Sequence, residues 1–445
     1  MRPRIRTYTW LMVLLASALC AQRLPGSVPS TEKLTIEQAV AEALEKNLGL
    51  LAERANISIA DARLITARLR PNPVLSVGGD HLPLLNTRFT QENRAGPPEY
   101  NLRTDFLVER AGKRGRRIEV AENARSAVEL DFLDATRSVI LNVREAFVEG
   151  LLAKESLLLA RQNLESLNQI VEFNAARLKA GDIAEVELIR SRLAAVQLET
   201  IVRQWELKVR ITLTHLQTLL SRPRYVTSFD IAGELRRDET VPGVEEIQKL
   251  ARESRPDLRG LQRELERARS DIRLQLAQGR VDYTIRTEYR RQQGVNGESN
   301  SLGLFLSIPL PVYNRNQGEI ERARQEERQI QLRIRGLESA ISGEVEVAYQ
   351  QVLTARGLLE SIESRMLHHA HMVREVTEYS YRRGGATLLE FLDAHKAFSD
   401  TMQGHNEARA ENARSLYLLD ALSGKAVSRW RFRSRLVQFE LRLRT

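Results

Sequence analysis

The chain has 445 residues, 42% of them apolar and only 5% aromatic, with a single Cys. One Cys excludes a disulfide framework and any cysteine-based zinc site, and few aromatics among many Ala, Leu, Glu and Arg residues argue for long helices packed through small side chains rather than a compact enzyme core. The formal charge is +9, yet Arg2, Arg4 and Arg6 and six arginines within 428–445 supply nearly all of it, so the near-neutral body excludes a basic face able to bind nucleic acid through counterion release.

The chain opens as an export signal over 1–21. Arg2, Arg4 and Arg6 form a cationic start, Leu11 to Leu19 an apolar stretch, and Ala18-Leu19-Cys20-Ala21 offers small residues for cleavage. Cys20 is the residue that a lipoprotein signal would acylate, although Leu19 in front of it fits simple cleavage better. No other run approaches the ~18 apolar residues of a spanning helix.

Beyond the signal, period-two alternation appears in four places, as expected for strands at about 73–82, 99–109, 280–290 and 300–310. Tyr100, Leu102, Thr104, Phe106 and Val108 share one face of the second; Tyr283, Ile285, Thr287 and Tyr289 share a face of the third, opposite Arg286, Glu288 and Arg290. Leu302, Leu304, Leu306 and Ile308 share a face of the fourth. A soluble sheet with one face on a core would also alternate. An exported chain with one apolar and one charged face per strand favours a transmembrane barrel, whose strands need ~9–11 residues. Four strands cannot close a barrel, so several chains must pool them.

Prolines are absent from 99–222 and 312–445, leaving room for long unbroken helices. A stripe in the first run reads Phe132, Ala135, Val139, Val143, Ala146, Gly150, Ala153, Leu157, Ala160, Leu164. In the second run Ile334, Leu337, Ile341, Val345, Ala348, Val352, Ala355, Leu359, Ile362, Met366 repeat it, each 202 residues later. Ten positions in phase at one offset argue for an internal duplication, 22–240 and 241–427. Further on, Gly181 pairs with Gly384 and Glu187 with Glu390, at offset 203. Each glycine interrupts a helical pattern that resumes at once and reads as a hairpin tip.

Arg70-Pro71-Asn72-Pro73 before a strand, Ala111 to Arg117 and Ser307 to Gly318 before the long helices, and above all Tyr381-Arg-Arg-Gly384-Gly-Ala-Thr387-Leu-Leu-Glu390-Phe-Leu-Asp393 resemble the TolC-type outer-membrane efflux family, in its cation-efflux branch. The resemblance covers about 34–424. It implies an α+β membrane protein: four transmembrane strands per chain in a homotrimeric twelve-stranded barrel, continued into a periplasmic tunnel of antiparallel coiled-coil helices. It implies an exit duct for what an inner-membrane pump, of the RND type, delivers through a periplasmic adaptor, with heavy-metal cations as cargo, no cofactor and no catalysis. Carried onto this chain, the mouth would be lined by Glu187, Tyr381, Glu390 and Asp393, with Leu178, Gly181, Gly384 and Gly385 at the tips that meet the adaptor. Ala386 stands where a gate Arg can occur, so the gating bonds differ. Carboxylates repeated around a narrow axis would concentrate cations.

Met366-Leu-His368-His369-Ala-His371-Met372 invites a metal reading. His368 and His371 share a helix face while His369 lies aside, so at most two imidazoles converge, and solvated or structural histidines are the plainer expectation. The arginine-rich segment 428–445 lies beyond the family resemblance and reads as a loose tail. A periplasmic coiled-coil adaptor or scaffold would have similar helices but no use for the strands. A duct for drugs or a secreted polypeptide would have the same sequence features as one for metals.

Overall fold

The computed structural model describes residues 33–82, 98–223, 225–226, 228–238, 240–294 and 297–425. The expected signal peptide, Cys20 and the 428–445 tail lie outside the described residues.

The chain is mostly helical, with one four-stranded sheet and one two-stranded pair. After β1 (Lys33–Leu34), α1 (Ile36–Lys46) and α2 (Leu48–Arg68) lead to β2 (Val74–Asp80) and β3 (Glu99–Val108). A 68-residue helix, α3 (Lys113–Ala180), then runs away from the sheet, about 100 Å at ~1.5 Å per residue. The helix α4 (Glu185–Leu219) returns along it, and β4 (Asp230–Ile231) follows. The same plan recurs: α5 (Val244–Ser254), α6 (Pro256–Gln278), β5 (Tyr283–Gly294), β6 (Gly297–Ser307), α7 (Gln317–Ser361), α8 (Leu367–Arg382) and α9 (Leu388–Leu422).

Left-handed residues launch both long helices. Ala111 and Gly112 (φ 57° and 69°) precede α3, and Asn316 (φ 64°) precedes α7. The buried Lys113 Nζ donates to the Arg280 carbonyl and Asp282 Oδ2, both at 2.7 Å, while Asn316 Nδ2 donates to the Gln275 carbonyl at 2.8 Å. These bonds tie each helix start to the end of α6, just below the sheet.

The stripes form the core. Val143 and Ala146 of α3 pack with Val40, Ala43, Leu216, Leu220 and Ile231. In the second half Ile341, Val345, Ala348 and Val352 of α7 pack with Ile247, Ala251, Leu258, Leu416 and Leu419. Gly150 has a specific reason to be glycine, because a Cβ there would lie 2.7 Å from Ile231 Cδ1. The parallel β1–β4 pair docks on α3 at that point.

Met366 does not close the second stripe. Residues Ile362–Met366 form a π turn between α7 and α8, which inserts one residue into the helical phase. Met366 is thereby turned out, 48% exposed, and Leu367 packs against Leu359, Ile362 and Ala408 instead. This extra residue accounts for the step from offset 202 in the stripes to 203 at the tip glycines.

The large sheet has the order β2-β3-β5-β6, antiparallel throughout. Its register aligns Val77, Leu102, Tyr289 and Leu302 across all four strands, with Thr104, Thr287 and Leu304 in the next row and Phe106, Ile285 and Leu306 beyond. The opposite face is ion-paired, Arg286 Nε meeting Asp105 Oδ1 at 2.7 Å and Arg290 meeting Glu288 at 2.9 Å. The last hairpin is longer than alternation suggests, for the ladder continues through Gln292↔Ser299 to Gly294↔Gly297. Polar side chains there hide a strand whose backbone pairing does not depend on them.

Leu304 is 76% exposed on the apolar face, and Thr284 lies on the ion-paired face beside Arg286. If the apolar face meets lipid, Leu304→Arg costs ~2–4 kcal/mol near the midplane and sharply lowers the yield of assembled membrane protein, whereas Thr284→Lys is tolerated. Membrane fractionation of the two variants checks this, and equal yields would reverse the assigned faces. Tyr283 is a poorer probe, since the Arg110 guanidinium stacks on its ring at 4.4 Å and donates to its hydroxyl.

Candidate functional site at the helical tips

The α3–α4 and α8–α9 hairpins end far from the sheet. Gly181 adopts φ 82°, its N–H donates to the Leu178 carbonyl at 3.0 Å, and the Asp182 N–H donates to the Arg177 carbonyl at 2.9 Å. This closes α3 in the manner of a Schellman motif. Gly384 adopts φ 77°, and the Gly385 N–H donates to the Ser380 carbonyl at 2.8 Å. A side chain at either left-handed glycine would strain the turn.

One apolar core joins the two tips: Leu167 and Ile170 of α3, Ala195 of α4, Tyr381 of α8, and Leu388 and Phe391 of α9. Tyr381 is 1% exposed, so within the chain it is a packing residue and not a surface one, contrary to its expected place lining the mouth. Its ring stacks on Phe391 at 5.4 Å, and its hydroxyl donates to Asn174 Oδ1 at 2.6 Å. Burial pushes the phenol above its ordinary pKa, opposed by the Asn174 bond and aided by the nearby Glu187 carboxylate. The Tyr381–Asn174 bond is a direct polar tie between the two repeats.

The carboxylates have distinct surroundings. Glu390 belongs to a capping box: Thr387 N–H and Oγ1 donate to its Oε2 at 2.7 and 2.9 Å, and the Glu390 N–H donates to Thr387 Oγ1 at 3.2 Å. These bonds hold its carboxyl below the usual range, the backbone one first. Glu187 is half-buried in the first turn of α4, and Asp393 is exposed on α9. Leu178 is half-buried; Gly181, Gly384 and Gly385 are exposed. Cationic groups share the surface: Arg177 and Arg382 lie over the Phe173 ring, and Arg383 lies over Tyr379 at 4.6 Å. The tip is thus a mixed-charge surface rather than a purely acidic one.

The His368 and His369 rings stand edge-on to each other at 5.8 Å, and His371 lies apart from them. His368, His369 and His371 are exposed, and the His371 ring stands edge-on to Phe398 at 4.8 Å. Among the described residues no three His, Cys, Asp or Glu side chains are arranged to hold a metal ion, so the pairing of His368 with His371 as a metal contact gains no support. Asn174, Phe391 and His395 complete the tip core, although sequence reasoning did not single them out. Thr387-x-x-Glu390 did carry a readable cap signature.

Comparisons with known proteins agree with this arrangement. Residues 247–425 match the outer membrane efflux protein family. The cobalt-zinc-cadmium resistance protein CzcC of Cupriavidus metallidurans is 21% identical over 365 residues, 82% of this chain and 83% of that protein. Nodulation protein T of Rhizobium leguminosarum bv. trifolii is 21% identical over 409 residues, 87% of this chain and 84% of that one. Among solved structures, the Campylobacter jejuni CmeC outer membrane channel superposes with a TM-score of 0.74 at 16% identity, covering 92% of this chain and 90% of that one. CusC superposes at 0.71 and 16%, covering 91% and 95%. The architecture is similar to that of these outer membrane channels, and the match to the outer membrane efflux protein family lies in the second half of the chain. These similarities support an outer membrane location with a large periplasmic portion.

Proposed function

We propose that three copies of this chain form the exit duct of a tripartite efflux system, passing heavy-metal cations that an inner-membrane RND-type pump delivers through a periplasmic adaptor. The observation that carries this reading is the sheet. Its outer strands, β2 and β6, each pair on one side only, its apolar face is exposed, and its other face is ion-paired. Three such sheets edge to edge give twelve strands, enough to close a barrel with a polar interior. The exposed apolar row Val186, Ile189, Leu193, Val196 on α4 recurs at helical spacing and supplies a contact between neighbouring chains. The two repeats, 22–240 and 241–427, are products of duplication. The metal cargo rests on the named function of CzcC, and the same family fold also occurs in proteins named for pyoverdine export. Sensitivity of a deletion strain to cobalt, zinc and cadmium tests the cargo: complementation by this chain restores growth on those metals, and no change in sensitivity rejects them.

The mass of the detergent-solubilised protein tests the assembly. A trimer is expected, because an isolated sheet would leave its edges and its apolar face unsatisfied. A stable monomer with full strand content would end this reading.

At the far end the hairpins form the periplasmic mouth. Glu187, Glu390 and Asp393 set its potential, while Leu178, Gly181, Gly384 and Gly385 present its rim to the adaptor. Since Glu390 is committed to the helix cap, Glu187 and Asp393 are the cleaner probes. Replacing both with Ala removes three copies of each charge from one constriction and lowers the preference for cations over anions. The reversal potential in asymmetric salt reads this directly, with Glu338→Ala on α7 as a control expected to change nothing. An unchanged reversal potential in the double variant would place the constriction elsewhere.

A further inference from the structure

The core behind the tip contains a group that the gating residues do not account for. His395 of α9 is 5% exposed, and neither ring nitrogen has a hydrogen-bond partner within the protein. Its ring stacks on Phe391 at 5.9 Å, continuing the column that begins with Tyr381. Asn174, fully buried, accepts from Tyr381 but leaves its own Nδ2 unpartnered, and Arg374 Nε is likewise unpartnered while its guanidinium covers Phe398 at 4.2 Å. Polar groups enclosed without partners make a core that is easily opened by added charge.

The charges that act on His395 both come from α8: Arg374 disfavours its protonation and Glu378 favours it. Glu378 is already paired with Arg382 at 2.9 Å. The helices α3 and α4 meet this core with Leu167, Ile170, Asn174 and Ala195, and α9 itself adds Phe391 and Phe398. One turn before α8, the π turn at Ile362–Met366 interrupts the regular ladder, a place where a helix can bend.

We propose that His395 is an acid-sensitive latch: neutral, it packs between α8 and α9 and holds the second-repeat hairpin shut; protonated, it drives α8 to swing out at the π turn, drawing Tyr381 from Asn174. A second cation beside Arg374 in an apolar core gains hydration only by leaving that core. Burial first, and then Arg374, depress the His395 pKa below the ordinary 6.5. A depressed pKa means that the shut form is fully favoured above that ordinary value. It loses stability as the pH falls through it towards the lower value of the packed ring. The proposal rests on the tips forming the mouth, but the packing change can be read without conduction.

Hydrogen exchange of the full-length protein in detergent, corrected for intrinsic rates, tests it at about pH 7.5 and about pH 5.5. Protection over 370–398 should fall several-fold at the lower pH, with 195–210 of α4 as the internal control, and His395→Gln should abolish the difference. Arg374→Gln should weaken the acid response by relieving the charge conflict, and Glu378→Gln should strengthen it. These opposite signs are not expected of a merely structural histidine, and they keep the test decisive if His395→Gln fails to fold. Protection that does not depend on pH in the unaltered protein, or an acid response surviving in His395→Gln, would overturn the latch. Acid-induced exchange without a rise in conductance would instead sustain the latch and overturn the placement of the mouth.

Discussion

The rest of the structure depends on how a helix of 68 residues is kept in place. Backbone hydrogen bonds alone do not hold such a rod in register with its neighbours, and its stability must come from a face buried along its length. In α3 that face is built from Val143, Ala146, Gly150, Ala153 and Ala160, residues small enough for the chain to lie close against the waist elements. With this rod fixed, the sheet at one end and the hairpin at the other keep a constant separation, so a single covalent chain links the sheet to a distant tip.

The waist explains why both halves can do this. Each repeat brings a short helix, α1 or α5, against its long helix, and closes the cluster with the end of its returning helix, Leu216 and Leu220 in one half, Leu416 and Leu419 in the other. The halves then cross-link. Arg236, in the connection between them, donates to Asp238 and to Asp420 of α9 while lying over Tyr417, and its pKa is raised by those carboxylates against the effect of burial. A guanidinium held by two acids and an aromatic face is well suited to a partly buried junction, because its planar donors remain satisfied.

Much of this was legible in the sequence because it follows from period. The stripes, the alternation in the strands and the glycines at the tips report directly on which face is buried and where the chain turns. The offset itself carried more information than it first gave: the change from 202 to 203 residues between stripe and tip marks an inserted residue, and the structure absorbs it as the π turn. What sequence could not supply was the direction in which a polar side chain points when two repeats pack together. Tyr381 sits in a motif that suggests a gate, yet the hairpin geometry turns it onto Phe391 and Asn174. Glu390 was read only as a gate residue, although its spacing from Thr387 fits a capping box, and the geometry of Thr387 shows that its carboxylate is engaged in the cap. The histidine cluster was conspicuous as a string of letters, whereas His395, alone between apolar neighbours, was not.

The π turn has a further consequence for symmetry. If the two halves arose by duplication, the hairpins are near copies, and a threefold ring of chains would carry six similar blades around one axis. The inserted residue makes alternate blades unlike: the first-repeat hairpin is built on a helix unbroken from Lys113 to Ala180, and the second on one with a joint at Ile362–Met366. A ring of six equal blades would widen as a whole or not at all. In the proposed trimer, three rigid blades and three jointed ones would let the aperture change by moving every other blade while the remainder keeps the wall intact.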